Sequence, residues 1–381
     1  MASTTLALFC KVVDNYGDIG ICWRLARQLQ SEHDIIVHLW VDDLGSFHRI
    51  CPSVNSSLDR QALEGIWIHR WHTQEVLFGK EDIADIVIEF FGCDIPPAYI
   101  ATMAQCAPAP IWLNLEGLSA EEWVEGCHGL PSSHPSYSLT KYFFFPGFNT
   151  KTGGLLCETT LDRQRENFQS DPLAQTAFLA QLGVSAEEMQ SLKVSLFCYP
   201  NAPVAALLSA WQHHEKPLLC LAPEGVASEA LGEFFGEMPV CGQVLQRGQL
   251  TLRVIPFMPQ NDYDKLLWSC DLNFVRGEDS FVRAQWAKKA FIWHIYPQDD
   301  NLHHKKLKAF LQTHQAGSDS SRDFSLAWNQ AQPCHDWQAC WSKLHNDLEF
   351  IQEQSTAWLN QMHMVGDLTS NLLSFVNSKR Q

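Results

Sequence analysis

The chain has 381 residues, about two and a half times the ~150-residue prior for one domain, so two domains and a connecting segment are expected. Apolar residues make up 46% of it, enough for two full cores. Lys and Arg number 27 against 43 Asp and Glu, a net charge of −16, which excludes general binding to nucleic-acid backbones or anionic membranes. In chain order, Thr5–Val13 reads as a first strand and Ile21–Ser31 as an amphipathic helix with Cys22, Leu25, Ala26 and Leu29 on one side. Ile35–Val41, Ile66–Trp71, Asp85–Phe91 and Pro110–Leu115 are further strands, continuously apolar rather than alternating. Such strands separated by helices imply a parallel sheet covered on both faces.

A softer segment follows at Phe145–Thr159, then a helix at Pro172–Gly183, and the alternation restarts. Strands are expected at Val194–Tyr199, Leu218–Leu221, Thr251–Ile255, Asp271–Val275 and Ala290–Ile295. Helices are expected at Val204–His214, Ala227–Phe235, Asp262–Cys270 and Asp279–Lys288, with Leu348–His363 and Asp367–Ser378 closing the chain. The expected fold is α/β, with two Rossmann-like domains. The first spans 1–158 and is completed by a C-terminal helix at 360–381; 159–187 is a linker and 188–359 the second domain. By analogy, two such domains facing across a cleft, with a C-terminal helix crossing back, form the GT-B glycosyltransferase architecture.

No run of eighteen apolar residues predicts a spanning helix, and the first apolar stretch reads as a strand rather than a signal peptide. The 13 cysteines are scattered without a C-x-x-C pair, which fits a reducing cytoplasm. Cys127-His128 and Cys334-His335 lack a second half at zinc spacing and are read as structural. The His213-His214 and His303-His304 pairs sit in polar surroundings and are read as surface; His294 is read as packing.

Two segments carry chemistry. Val12–Gly20 lies where the first strand meets the first helix, the edge at which open α/β sheets bind ligands. Asp14 and Asp18 there suit a cation or a proton rather than a phosphate; as a bland alternative, Asp18 caps the helix and Asp14 forms a turn. Phe274–Trp286 also runs from strand into helix. Gly277 and the N–H groups near Ser280 suit a diphosphate at the helix start, and Arg276 adds a fork of donors. Glu278 and Asp279 would oppose phosphate and turn to hydroxyls or a second substrate, unless the cluster is merely a cap. Phe197-Cys198-Tyr199 and Pro256–Gln260, which contains Phe257, follow strand ends where aromatic rings can stack on a base.

V-V-D-N-Y-G-D-I-G-I-C-W-R-L-A-R-Q-L at Val12–Leu29 resembles the bacterial protein-arginine rhamnosyltransferases that mature elongation factor P, the EarP family. So do N-F-V-R-G-E-D-S-F-V-R-A-Q-W-A at Asn273–Ala287, W-H-I-Y-P-Q at Trp293–Gln298, and the segments Glu122–Pro131 and Lys141–Phe148. The resemblance implies a GT-B fold, dTDP-β-L-rhamnose as co-substrate, an arginine of elongation factor P as acceptor, inversion at the anomeric carbon, and neither metal nor cofactor. It places Phe197, Tyr199, Phe257 and Gln260 around the nucleotide and Arg276, Gly277, Asp279 and Ser280 around the diphosphate. Asp14, Asp18 and Glu278 match the acids the family needs, with Asp18 taken as base and the other two as orienters. The alternatives are a nucleotide-sugar transferase with a small-molecule or lipid acceptor, and a non-catalytic binding module.

Overall fold

The structure is a computed structural model that describes residues 4–14, 16–72, 77–314 and 317–380. It divides into two compact units: Met1–Thr159 with Met362–Gln381, and Thr160–Gln361. Among the described residues no helix is long and apolar enough to cross a membrane.

The first unit holds β1 (Thr5–Cys10), β2 (Ile36–Val41), β3 (Arg60–Leu63), β4 (Ile66–Arg70), β5 (Ile86–Phe90), β6 (Ile111–Leu115), β7 (Pro131–Ser133) and β8 (Thr140–Phe144). Their order is β3-β4-β2-β1-β5-β6-β8-β7, parallel except for the short β3/β4 and β7/β8 edge pairs. β1 ends at Cys10, three residues before the expected end. Val12 and Val13 are apolar, but Val13 is 68% exposed, so composition overran the strand. β1 is buried on both faces; Ala7 and Phe9 join a cluster with Tyr99, Met103 and Trp112. That two-sided burial is why the strand reads as a continuous apolar run.

The second unit holds β9 (Leu192–Leu196), β10 (Leu218–Pro223), β11 (Val244–Arg247), β12 (Leu250–Ile255), β13 (Leu272–Arg276) and β14 (Ala290–His294). The order is β11-β12-β10-β9-β13-β14, with β11 alone antiparallel. Along β10, Leu218, Cys220 and Ala222 pack into a core with Trp211, Phe274, Trp328 and Trp341. Leu219 and Leu221 face the opposite side, against Phe178 and Leu179. Those last two belong to the helix Pro172–Gln181, so this helix, within the segment 159–187 read from sequence as a linker, packs against the second sheet. Arg165 anchors the same segment, donating from Nη1 to the Trp286 carbonyl at 2.8 Å while nearly fully buried.

In both sheets the chain winds outward in one direction and then reverses. The reversal falls between β1 and β5 in the first unit and between β9 and β13 in the second. Such switch points open a crevice beyond the carboxyl ends of the strands.

Candidate functional site in each unit

In the first unit, residues 11–14 follow the end of β1 and Tyr16 leads into the helix Gly17–His33. Asn15 lies outside the described residues. Asp18 sits in the first turn of that helix and is buried, but it does not act as its cap. Its Oδ2 turns back to accept from Val13 N at 2.7 Å and Asp14 N at 2.8 Å, pinning the loop that precedes the helix. Burial pushes the Asp18 carboxyl above the ordinary carboxylate range, and the neighbouring charges of Asp14 and Asp42 add to this, against the two N–H bonds. Asp14 is half-buried in the same loop, its carbonyl accepting from Gly17 N at 2.7 Å. Sequence reasoning missed Asp42, just after β2, whose Oδ1 accepts from Val12 N at 2.8 Å and holds the other end of the loop.

Beside it, across the reversal, the loop after β5 is unusual. Phe91, Gly92 and Asp94 all have positive φ, at 54°, 60° and 54°. Backbone strain of this kind persists only where surroundings over-determine it. Here the buried Glu89 accepts from Asp94 N at 3.0 Å and pairs with Lys141 at 3.0 Å. A cavity of about 540 Å³ adjoins this loop, with Trp40, Asp42, Arg70, Trp71, Phe78 and Asp94 in its wall.

In the second unit, Phe197 and Tyr199 follow β9 and Arg276 ends β13, two neighbouring strands. The Arg276 guanidinium carbon lies 4.2 Å from the Phe197 ring centre and 4.9 Å from that of Tyr199, and Nη1 donates to Cys198 O at 3.0 Å. Cation and aromatic side chains thus share one patch. Gly277 has φ 62°, which only glycine adopts without strain, and its carbonyl accepts from Trp293 Nε1 at 2.6 Å. The Ser280 hydroxyl is tied to Arg276, accepting from its N–H at 3.0 Å and donating to its carbonyl. Gln260 is buried and donates from Nε2 to Asp279 Oδ2 at 3.2 Å. Behind them a buried two-pronged pair, Arg283 Nη2 to Asp264 Oδ2 at 2.7 Å and Nε to Oδ1 at 3.1 Å, locks the helix Asp279–Trp286 onto the helix Gln260–Ser269. Phe257 is half-buried ahead of Gln260, and Glu278 half-buried ahead of Asp279.

His294 is buried, accepts from Tyr199 N on Nδ1 at 3.2 Å, and is held neutral with its pKa lowered to about 3, by burial first and then by the Arg276 charge. It therefore supports the aromatic patch from below. Two histidines read as surface are buried instead. His214 contacts Trp341 Nε1 through Nδ1 at 3.3 Å, and His303 accepts from Gln298 N at 3.0 Å. Polar neighbours in sequence mislead at helix ends, where the fold turns the ring inward. His128 accepts from Phe145 N at 3.1 Å, a structural role.

The family model described as Elongation-Factor P (EF-P) rhamnosyltransferase EarP matches residues 6–377. The protein-arginine rhamnosyltransferase of Pseudomonas putida is 44% identical over 97% of this chain and 98% of its own. That of Neisseria meningitidis is 38% identical over 80% of this chain and 77% of its own. A solved structure giving the structural basis for EarP-mediated arginine glycosylation of translation elongation factor EF-P aligns over 99% of both chains, with TM-score 0.67 and 32% identity. MurG of Acinetobacter baumannii aligns over 99% of this chain with TM-score 0.50 but only 14% identity, a likeness of fold alone. The fold is the expected GT-B class, α/β with two largely parallel sheets. The chain is a glycosyltransferase and belongs to the EarP family of elongation factor P rhamnosyltransferases.

Proposed function

We propose that this protein moves L-rhamnose from dTDP-β-L-rhamnose to an arginine side chain of elongation factor P in the cytoplasm, with inversion at the anomeric carbon. Family membership supports the acceptor and the sugar. The observation that carries the chemistry is Asp18, a buried carboxylate with raised proton affinity at the switch point of the first sheet.

Arginine is a poor nucleophile, because its guanidinium stays protonated and its lone pairs are delocalised. Carboxylates beside it stabilise the charged form, so they cannot simply strip the proton in advance. In our reading the transfer is concerted. Asp14 orients the guanidinium and draws charge from the attacking nitrogen. Asp18 accepts the proton as the N–C bond forms and the bond from the anomeric carbon to the diphosphate oxygen breaks. The raised proton affinity of Asp18 suits it to that step.

The second unit would hold the donor. Phe197, Tyr199 and Phe257 offer rings for the base, with Gln260 beside them. Arg276, Gly277, Ser280 and the start of the helix Asp279–Trp286 offer charge and N–H groups to the diphosphate, whose negative charge grows as it leaves. In this reading the leaving group is neutralised by the protein itself, without metal or cofactor.

The test is mass spectrometry of elongation factor P after incubation with the enzyme and dTDP-rhamnose, with free arginine as a parallel acceptor. One deoxyhexose on one arginine of the folded protein is the expected result, and an α-linkage by NMR reports inversion. Release of dTDP with free arginine but not with the protein would overturn the acceptor assignment.

A further inference from the structure

Gly17 is the first residue of the helix that follows the first loop. It lies outside the glycines of positive φ, so its backbone conformation is open to any L residue. Space, rather than backbone freedom, is what its missing side chain supplies. A Cβ at this position would come within 2.8 Å of Asp14 Oδ2 and 3.4 Å of Asp14 Cγ. The backbone around it is closed at both ends, by Gly17 N to Asp14 O at 2.7 Å and by Asp14 N to Asp18 Oδ2 at 2.8 Å. The group that a Cβ here would displace is therefore the Asp14 carboxylate, whose side-chain atoms are the nearest to it.

We propose that Gly17 is a positioning residue, which sets the direction of the Asp14 carboxylate by leaving the room in which it lies. This rests on the reading of Asp14 as an orienter of the acceptor guanidinium. A methyl group at Gly17 turns the carboxylate aside without disturbing the fold, the donor site or Asp18. Displacements of about 1 Å in orienting groups cost up to about 10²-fold in rate.

The experiment is a double-mutant cycle of Gly17→Ala and Asp14→Ala, reading kcat on elongation factor P, dTDP affinity by calorimetry, and Tm. G17A is expected to melt at or above the wild-type temperature, bind dTDP unchanged, and lose roughly tenfold or more in kcat. In the D14A background it should remove nothing further, since its effect passes through that carboxylate. A wild-type kcat for G17A, losses that multiply in the double variant, or a melting temperature lowered by several degrees would each overturn the proposal. Wild-type turnover by D14A would instead defeat the reading of Asp14 and the proposal with it.

Discussion

The loops after β1 and after β13 each leave a strand that flanks the reversal of its sheet and enter a helix, yet they spend their backbone groups differently. In the first, the N–H groups of Val13 and Asp14 are taken by the carboxylate of Asp18, in the first turn of the helix that follows. Those N–H groups are thereby already satisfied by a negative charge of the chain itself. In the second, the Ser280 hydroxyl of the first helical turn closes on Arg276, Asp279 of the same turn accepts from Gln260, and the guanidinium lies on a bed of Phe197 and Tyr199. One strand–turn–helix design thus closes in two ways, by a carboxylate that turns back onto loop N–H groups in the first unit and by a hydroxyl that closes on Arg276 in the second.

The largest expected effect that would break this contrast is in Asp18→Asn. Turnover should fall by about 10²-fold or more while dTDP affinity stays the same; near-normal turnover would remove Asp18 from the base role. Next, Arg276→Ala should weaken dTDP binding by roughly 10- to 100-fold, the worth of one charged hydrogen-bonding group, and unchanged affinity by calorimetry would count against the diphosphate assignment.

The two sites should also respond to pH with opposite signs, through Asp18 in the first and His294, at the end of β14, beside the second. The raised carboxyl of Asp18 favours the folded state while protonated, and that share of stability is lost as pH rises through the folded-state pKa. D18N should therefore be at least as stable as wild type at pH ~8, with the gap closing toward the ordinary carboxylate range of about 4. His294, with its pKa lowered to about 3, gives stability that is present above the unfolded-state value and lost on acidification. His294→Gln keeps an acceptor for Tyr199 N, and should reduce the loss between about pH 6.5 and 5 by about 2 kcal/mol, read from denaturant midpoints. Equal losses in the two proteins would show that His294 is not held neutral. The smallest effect separates two glycines. Gly277→Ala forces a side chain into left-handed backbone and should cost roughly 1–2 kcal/mol, whereas Gly17→Ala should cost no stability.

Runs such as Leu218–Pro223, buried on both faces, announce parallel strands directly. The edges escaped notice because β3, β7 and β11 are three- or four-residue antiparallel pieces with mostly exposed or half-exposed side chains, too short for a period to show. β8 was hidden by Lys141, whose charge looks out of place until Glu89, on the non-adjacent strand β5, receives it. Asp14 and Asp18 were visible as types in a loop; that Asp18 turns back to hold the loop was not, since this depends on where the first strand stops. Asp42 and His294 act through backbone N–H groups far away in sequence, and no local pattern marks such contacts.

The last helix, Leu368–Lys379, belongs to the first unit. Phe375 packs against Tyr142, Phe144 and His128, and Asn371 donates to Gly153 O at 3.1 Å. During synthesis the first 159 residues therefore emerge without the segment that completes their unit, and wait while the whole second unit is made. The β8 face stays uncovered for that interval, so the unit begun first is the one finished last.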